Sequence, residues 1–163
     1  MIRRAVSADV DDLARNHIAS WQQAYKGLIS QEFLDQLDLQ SMKDMFAGMI
    51  ARDTRVFVVD SHDVIVGHCW IGPARTKDAG ELYAIYVHPA HWGEGYGHEL
   101  MVGVEAALIE EGFDQVLLWV LDTNIRARHF YERQGWNLGK SVKLEEIGGV
   151  QVTEVCYVKD LVS

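Results

Sequence analysis

A chain of 163 residues with 48% hydrophobic content has the size of one globular domain and can bury a core without disulfides. Its 15 Lys and Arg against 24 Asp and Glu leave a formal net charge of −9, which disfavours nucleic acid or an anionic membrane surface as the main partner. We therefore expect a single domain over residues 1–163 that binds neither nucleic acid nor membrane.

The first fifty residues have a helical pattern. Ser7, Ser30 and Ser41 are candidate N-caps for three helices, and Gly27 is expected to end the first. The first helix is predicted by apolar and aromatic residues at helical spacing: Val10, Leu13, Ala14, His17, Ile18, Trp21 and Tyr25.

From Arg55 the pattern changes to β-structure. A hairpin is predicted around the polar turn at residues 61–63, and a second hairpin around Gly148 and Gly149. The predicted strands and helices, in chain order, are strands 56–59, 64–71 and 82–87, helix 95–112, strand 116–121, helix 124–134, and strands 136–144 and 150–158.

The two cysteines, Cys69 and Cys156, lie in apolar runs without metal or redox spacing, so we expect buried free thiols. The N-terminal residues do not resemble a signal peptide, and no run approaches the ~18 apolar residues of a membrane helix. A cytoplasmic location is therefore expected.

Residues 82–100 form the most informative segment, because they predict a strand, a glycine-rich turn and a helix without a gap. Gly93, Gly95 and Gly97 allow a tight turn whose backbone N–H groups, together with the positive end of the following helix, suit a phosphate. A flexible helix entry would explain the glycines alone. The segment does not fit a Walker loop, because no Lys-Ser or Lys-Thr follows the glycines. It also does not fit a dinucleotide-binding fingerprint, which requires alternating parallel strand–helix units, whereas the predicted strand order is mostly antiparallel.

The segment Trp92-Gly93-Glu94-Gly95-Tyr96-Gly97 resembles the pyrophosphate loop of the GNAT acetyltransferases, Gln/Arg-x-x-Gly-x-Gly/Ala, with Trp92 departing from the first position. The preceding strand, ending in Tyr86-Val87-His88-Pro89, is similar to the family's strand that binds the pantetheine arm through its main chain. A second segment, residues 124–136, resembles the family's Asn-x-x-Ala-x-x-Phe-Tyr-x-x-x-Gly-Phe pattern. The resemblance implies these cofactor-binding residues: Ile85, Tyr86, Val87, Trp92, Gly93, Gly95, Tyr96, Gly97, His98, Asn124, Ala127 and Phe130.

The resemblance also implies an α/β (α+β) fold with a central mixed, mostly antiparallel twisted sheet of about seven strands flanked by helices. The implied function is transfer of an acetyl group from acetyl-CoA to a primary amine of a small molecule or peptide. Two alternatives stay open: a regulatory module that binds acyl-CoA without turnover, and a dinucleotide-binding oxidoreductase. Homodimers are common in the family, so a homodimer is a further expectation.

In the family a tyrosine protonates the CoA sulfur, and the resemblance gives Tyr131 that role; the alternative is an aromatic packed beside Phe130. The oxyanion donor is implied to be the Val87 backbone N–H. Asn124 can hold the cofactor or only cap its helix. Glu81 is the candidate general base, with a solvated carboxylate as the alternative.

The acceptor pocket is expected to include Trp21 and Tyr25, which lie four residues apart on one helical face, and Tyr83 from the strand. Trp21 can equally pack against the sheet. Aromatic faces on an acidic protein favour a small cationic amine.

Several histidines have suitable intrinsic pKa values for a base, but we expect His17, His68 and His88 to be packed or surface residues. A metal site formed by His88, His91 and His98 with Glu94 is not expected, because their spacing crosses a proline and a flexible turn.

Overall fold

The computed structural model describes residues 1–75 and 77–161. Their helices and strands are β1 (Ile2–Arg4), α1 (Val10–Ala24), α2 (Gln31–Asp35), α3 (Leu39–Ala51), β2 (Arg55–Ser61), β3 (Val64–Pro73), β4 (Gly80–Val87), α4 (Tyr96–Glu110), β5 (Gln115–Leu121), α5 (Ile125–Arg133), β6 (Asn137–Ile147) and β7 (Val150–Asp160). Short 3₁₀ turns lie at Ser7–Asp9 and Pro89–His91.

The strands form one seven-stranded sheet in the order β1-β2-β3-β4-β5-β7-β6. Neighbouring strands are antiparallel except β4 and β5, which are parallel. The sequence prediction of a mixed, mostly antiparallel sheet of about seven strands is therefore confirmed.

The parallel strands β4 and β5 separate soon after they begin. They pair only through Gly80 with Val116 and Glu81 with Leu117, although both strands continue. The register between β3 and β4 also shifts at this point, since Trp70 faces Ala84 and Ile71 faces Leu82. The extra residue, Tyr83, forms a bulge that bends β4 away from β5 and opens a gap in the middle of the sheet.

Helices cover both faces of the sheet. One face packs against α4 and α5, where Leu100, Val104 and Tyr131 join the largest apolar cluster. The other packs against α1 and α3 through Leu13 and Phe46. Both cysteines are free and buried, as expected.

Two of the three predicted serine caps are wrong. Ser30 does accept a hydrogen bond from the Phe33 N–H at 3.4 Å, but α3 is capped by Asp38, whose carboxylate accepts from both the N–H and the hydroxyl of Ser41 at 2.8 Å. An ionised acceptor makes the stronger bond. Ser7 lies in a 3₁₀ turn, because Asp9 binds the Val6 N–H and delays α1 to Val10.

Among the described helices, none combines the length and the apolar character that crossing a membrane requires.

Candidate active site

The glycine-rich turn leads directly into α4. Gly93 and Gly95 have φ angles of 82° and 90°, in the left-handed region that favours glycine, and Gly95 is the residue that precedes the helix. The first N–H groups of α4 have no partner inside the helix, so they and the helix dipole attract an anion to this end.

A cleft of about 300 Å³, which we call the glycine-loop cleft, lies between this turn, the end of β4 and α5. It brings together every residue that the sequence assigned to the cofactor except Asn124: Ile85, Tyr86, Val87, Trp92, Gly93, Gly95, Tyr96, Gly97, His98, Ala127 and Phe130. Asn124 caps α5 through the Ala127 N–H at 3.3 Å and lines the neighbouring pocket instead.

The backbone polar groups of Val87 face away from β3, and Val87 lines the glycine-loop cleft. The His88 N–H donates to the Val66 carbonyl on β3 at 2.7 Å, and alternation along an antiparallel strand turns the polar groups of Val87 the other way. On that side the Val87 carbonyl accepts from Trp92 Nε1 at 2.8 Å and from Ser20 Oγ at 3.4 Å. Neither of these contacts uses the Val87 N–H.

Trp92 itself is uncharged, but its ring packs against a positively charged side chain. The guanidinium carbon of Arg126 lies 3.5 Å from the centroid of the Trp92 ring, and Arg126 lines the glycine-loop cleft. Arg126 could not be predicted from the second motif, because it occupies an unspecified position of that motif. His91, His98 and Arg133 line the same cleft, so this end of the site is basic on an acidic protein.

A second, smaller pocket of about 70 Å³ occupies the space between the separated strands, and we call it the strand-gap pocket. Tyr25 and Tyr86 form part of its wall, with their hydroxyl oxygens 3.0 Å apart. Tyr83 also lines it and donates its hydroxyl to the Pro73 carbonyl. The pocket is adjacent to the cleft, because both are lined by Ala24, Ile85, Tyr86, Arg126, Ala127 and Tyr131.

Tyr131 lies where the two cavities meet. Its residue is only 8% exposed, and within residues 1–75 and 77–161 its hydroxyl has no hydrogen-bond partner. Burial raises the pKa of Tyr131 above its usual value, and nearby Tyr25 raises it further, while Arg126 acts in the opposite direction. The phenol therefore remains protonated at neutral pH and can donate its proton.

Glu81 and Trp21 do not line either cavity. Glu81 is 3% exposed, because it sits where β4 and β5 still pair. Its carboxylate lies 3.5 Å from the guanidinium group of Arg75. The geometry thus disfavours both a base role and the solvated alternative for Glu81. Trp21 packs against His17 and Tyr25, which corresponds to the packing alternative.

The histidines contact other side chains, inside or outside the cleft. His17 and His68 lie buried outside both cavities, with His17 Nδ1 3.3 Å from His68 Nε2, and burial lowers the pKa of His17 to about 4. His91 contacts Glu94 at 2.8 Å, and His98 contacts Gln134 at 2.7 Å. Across the described chain, no three His, Cys, Asp or Glu side chains gather as metal ligands would.

Comparison with known proteins agrees with this geometry. Residues 15–136 match the acetyltransferase (GNAT) family. An uncharacterised N-acetyltransferase of Archaeoglobus fulgidus is 32% identical over 82% of this chain and 90% of its own length. The uncharacterised N-acetyltransferase YuaI of Bacillus subtilis is 29% identical over 76% of this chain and 72% of its own.

A solved structure shows the same fold. The PaiA N-acetyltransferase of Thermoplasma acidophilum, determined in complex with coenzyme A, superposes with a TM-score of 0.78 over 98% of both chains at 16% identity. The family match spans the glycine-rich turn, the separated strands and α5. On these grounds the chain belongs to the GNAT family of acetyl-CoA-dependent acetyltransferases.

Proposed function

We propose that this enzyme transfers the acetyl group of acetyl-CoA to a primary amine of a small molecule or peptide by direct attack, with Tyr131 as the general acid. The observation that carries the proposal is the position of Tyr131, which lines both the glycine-loop cleft and the strand-gap pocket. An acyl-CoA-binding module without turnover would need the cleft but no proton donor at this junction.

Acetyl-CoA supplies the thioester, and the residues of the glycine-loop cleft fit its pyrophosphate. A Cβ on Gly97 would lie 3.0 Å from Phe130 Cε1, so a larger residue would press against the Phe130 ring beside the cleft. Where the family carries Gln or Arg, Trp92 holds the side chain of Arg126, which provides the positive charge from α5.

Val87 and Tyr131 are assigned the two remaining roles in the reaction. In this proposal the Val87 N–H donates to the oxygen that becomes negative during attack. Tyr131 donates its proton to the sulfur as the thiol leaves. Because Cys69 and Cys156 line neither cavity, a covalent route through a cysteine has no support.

We also retain a cytoplasmic location and a homodimer as predictions. Strand β6 lies at the sheet edge and exposes apolar side chains that suit a contact between copies: Leu138, Val142 and Leu144.

The direct test is amine-dependent release of CoA thiol from acetyl-CoA. The amines should include glycylglycine, lysine, spermidine, cadaverine and an aminoglycoside, with a nicotinamide dinucleotide as a binding control. We expect at least one amine to accelerate thiol release and yield an acetylated product. Binding of acetyl-CoA without any amine-dependent release would favour the regulatory alternative.

Arg126→Ala should weaken acetyl-CoA binding by roughly tenfold, because a charge-assisted contact to phosphate is worth about 1.5–3 kcal/mol and exposure reduces it. Calorimetry at low and high salt measures the effect, which should shrink as salt screens the charge. Arg15→Ala, an exposed position on α1 outside both cavities, removes the same charge as a control. Equal affinities of the two variants would exclude Arg126 from phosphate binding.

Tyr25→Ala should raise the KM for the amine by about three- to tenfold, since an aromatic contact is worth roughly 0.5–1.5 kcal/mol. The dissociation constant for acetyl-CoA should not change. Tyr25→Phe keeps the ring and removes only the contact with the Tyr86 hydroxyl, so it should have the smaller effect. If Tyr25→Ala changes neither constant, Tyr25 does not line the acceptor pocket.

A further inference from the structure

Charge is unevenly distributed over the two adjacent cavities. The glycine-loop cleft is lined by His91, His98, Arg126 and Arg133 and, within the described chain, by no carboxylate. The strand-gap pocket shares Arg126 with the cleft, but it also contains one carboxylate among its described lining residues, Glu154. The cleft therefore suits an anionic group, and the carboxylate of the two cavities lies in the strand-gap pocket.

Glu154 lies on β7, beside the open part of the gap. It is paired in register with Leu121, the last residue of β5, far from the end at which β4 and β5 still pair. It is on the face of the sheet that packs against α1 and α2, where Leu121 contacts Leu34 and Tyr25 packs nearby. Tyr25, which is expected to line the acceptor pocket, and Glu154 consequently lie on the same side of the sheet.

Glu154 is held in place without being fully neutralised. Its side chain is 18% exposed, and Lys143 Nζ lies 3.7 Å away. Lys143 is closer to Glu145, at 3.4 Å, and it also sits 4.6 Å above the Trp119 ring. Burial raises the pKa of Glu154, which makes its carboxylate a better proton acceptor, while Lys143 acts in the opposite direction.

We infer that Glu154 binds the ammonium group of the acceptor in the strand-gap pocket and accepts its proton before attack. This inference rests on the proposed function and replaces Glu81 as the base. It also defines the acceptor class as an alkylammonium compound, because a carboxylate at this position stabilises a cation more than an amine that is neutral at pH 7.

The proposed reaction conserves protons. The ammonium nitrogen gives one proton to Glu154, which releases it to solvent, and the resulting amine forms the nitrogen–carbon bond. When the carbon–sulfur bond breaks, the sulfur receives the Tyr131 proton. A second proton leaves the nitrogen and restores the phenol, so the products are the amide, CoA thiol and one released proton.

Other charged and titratable groups surround Glu154 and contribute to its pH response. They come from β6, the segment after β3, α1, β4 and α5, and they are Lys143, Glu145, Arg75, Tyr25, Tyr83, Tyr86, Arg126 and Tyr131. Only Glu154 among them combines a carboxylate with a position on the pocket wall.

The test is Glu154→Gln, which keeps the side-chain size and removes the charge. With glycylglycine and cadaverine as amines, kcat/KM for the amine at pH 7 should fall by about 10²-fold or more, with the acetyl-CoA KM unchanged. The loss of kcat/KM relative to wild type should become smaller as the pH approaches the pKa of each amine, which is about 8 for the α-amino group of glycylglycine and about 10 for cadaverine. If the role of Glu154 were purely structural, the loss of kcat/KM would be the same at every pH.

Glu145→Gln is the matched control, because Glu145 also pairs with Lys143 but lies outside both cavities. Because Glu145 acts on Glu154 only through its charge, kcat/KM for both amines at pH 7 should fall far less than in Glu154→Gln. A Glu154→Gln variant as active as wild type, or one with a pH-independent deficit, would overturn the inference while leaving acetyl transfer established. If the wild type itself acetylates neither these nor the other screened amines, the proposed function fails and the role of Glu154 with it.

Discussion

Replacement of Tyr131 by phenylalanine is expected to lower kcat by about 10²- to 10⁴-fold, because the leaving thiolate loses its proton donor. The aromatic ring remains, so the packing of Tyr131 against Phe130 and Trp136 should persist. Binding of acetyl-CoA should therefore be nearly unchanged. Single-turnover kinetics, in which chemistry limits the rate, together with calorimetry, measure the two quantities separately.

Tyr157→Phe provides the matched control for Tyr131→Phe. The Tyr157 hydroxyl lies outside both cavities, where it donates to Glu132 at 2.7 Å and accepts from Arg128 at 3.1 Å. Its loss should lower the stability of the fold but not the rate of chemistry. Wild-type turnover by Tyr131→Phe would make Tyr131 a packing residue only.

The pH profile adds a second check on Tyr131. Since burial raises the pKa of its phenol, the proton stays on Tyr131 through the pH range in which an ordinary tyrosine, near pH ~10, would lose it. Activity should therefore not decline through loss of this proton below that range. An alkaline decline near pH ~8 that disappears in Tyr131→Phe would contradict a buried general acid.

Gly97→Val is expected to reduce acetyl-CoA affinity by about 10²-fold or more. The first added carbon would lie 3.0 Å from the Phe130 ring, so either the ring or the first turn of α4 must move within the cleft. The neighbouring atoms must move by a few tenths of an ångström or more, and the added side chain hinders backbone approach to the pyrophosphate. Calorimetric titration with acetyl-CoA gives the affinity, and thermal unfolding verifies the fold.

Ala106→Val tests the same substitution on the same helix without approaching the cleft. Ala106 is exposed on α4 and lines neither the glycine-loop cleft nor the strand-gap pocket, so the variant controls for the lower helix propensity of valine. It should bind acetyl-CoA as the wild type does. Unchanged affinity in a folded Gly97→Val protein would mean that acetyl-CoA does not bind at the glycine-rich turn.

Sequence reasoning was most successful where the site depends on local chain geometry. Gly93 and Gly95 need left-handed backbone angles, and Phe130 and Tyr131 occupy consecutive positions of one helix, so short patterns predict their surroundings. The same holds for the element order, because hydrophobic periodicity changes clearly near Arg55.

The sequence could not predict contacts that depend on strand order. The closing hairpin was predicted, but nothing local indicates that β7 rather than β6 lies beside β5, and that order brings Glu154 to the gap. Pairing of β4 with β5 likewise buries Glu81, which by sequence alone lies at an exposed strand start. Arg126 was missed because its partner, Trp92, lies in a different element.

Initial rates of CoA thiol release, measured while acetyl-CoA and an accepted amine are both varied, test the central claim most directly. Direct attack requires both substrates to be bound together, so double-reciprocal plots should intersect and the rate should depend on the amine. Parallel lines would indicate an acetylated enzyme intermediate and contradict direct attack. Release that does not respond to any amine would contradict the assignment as an amine acetyltransferase.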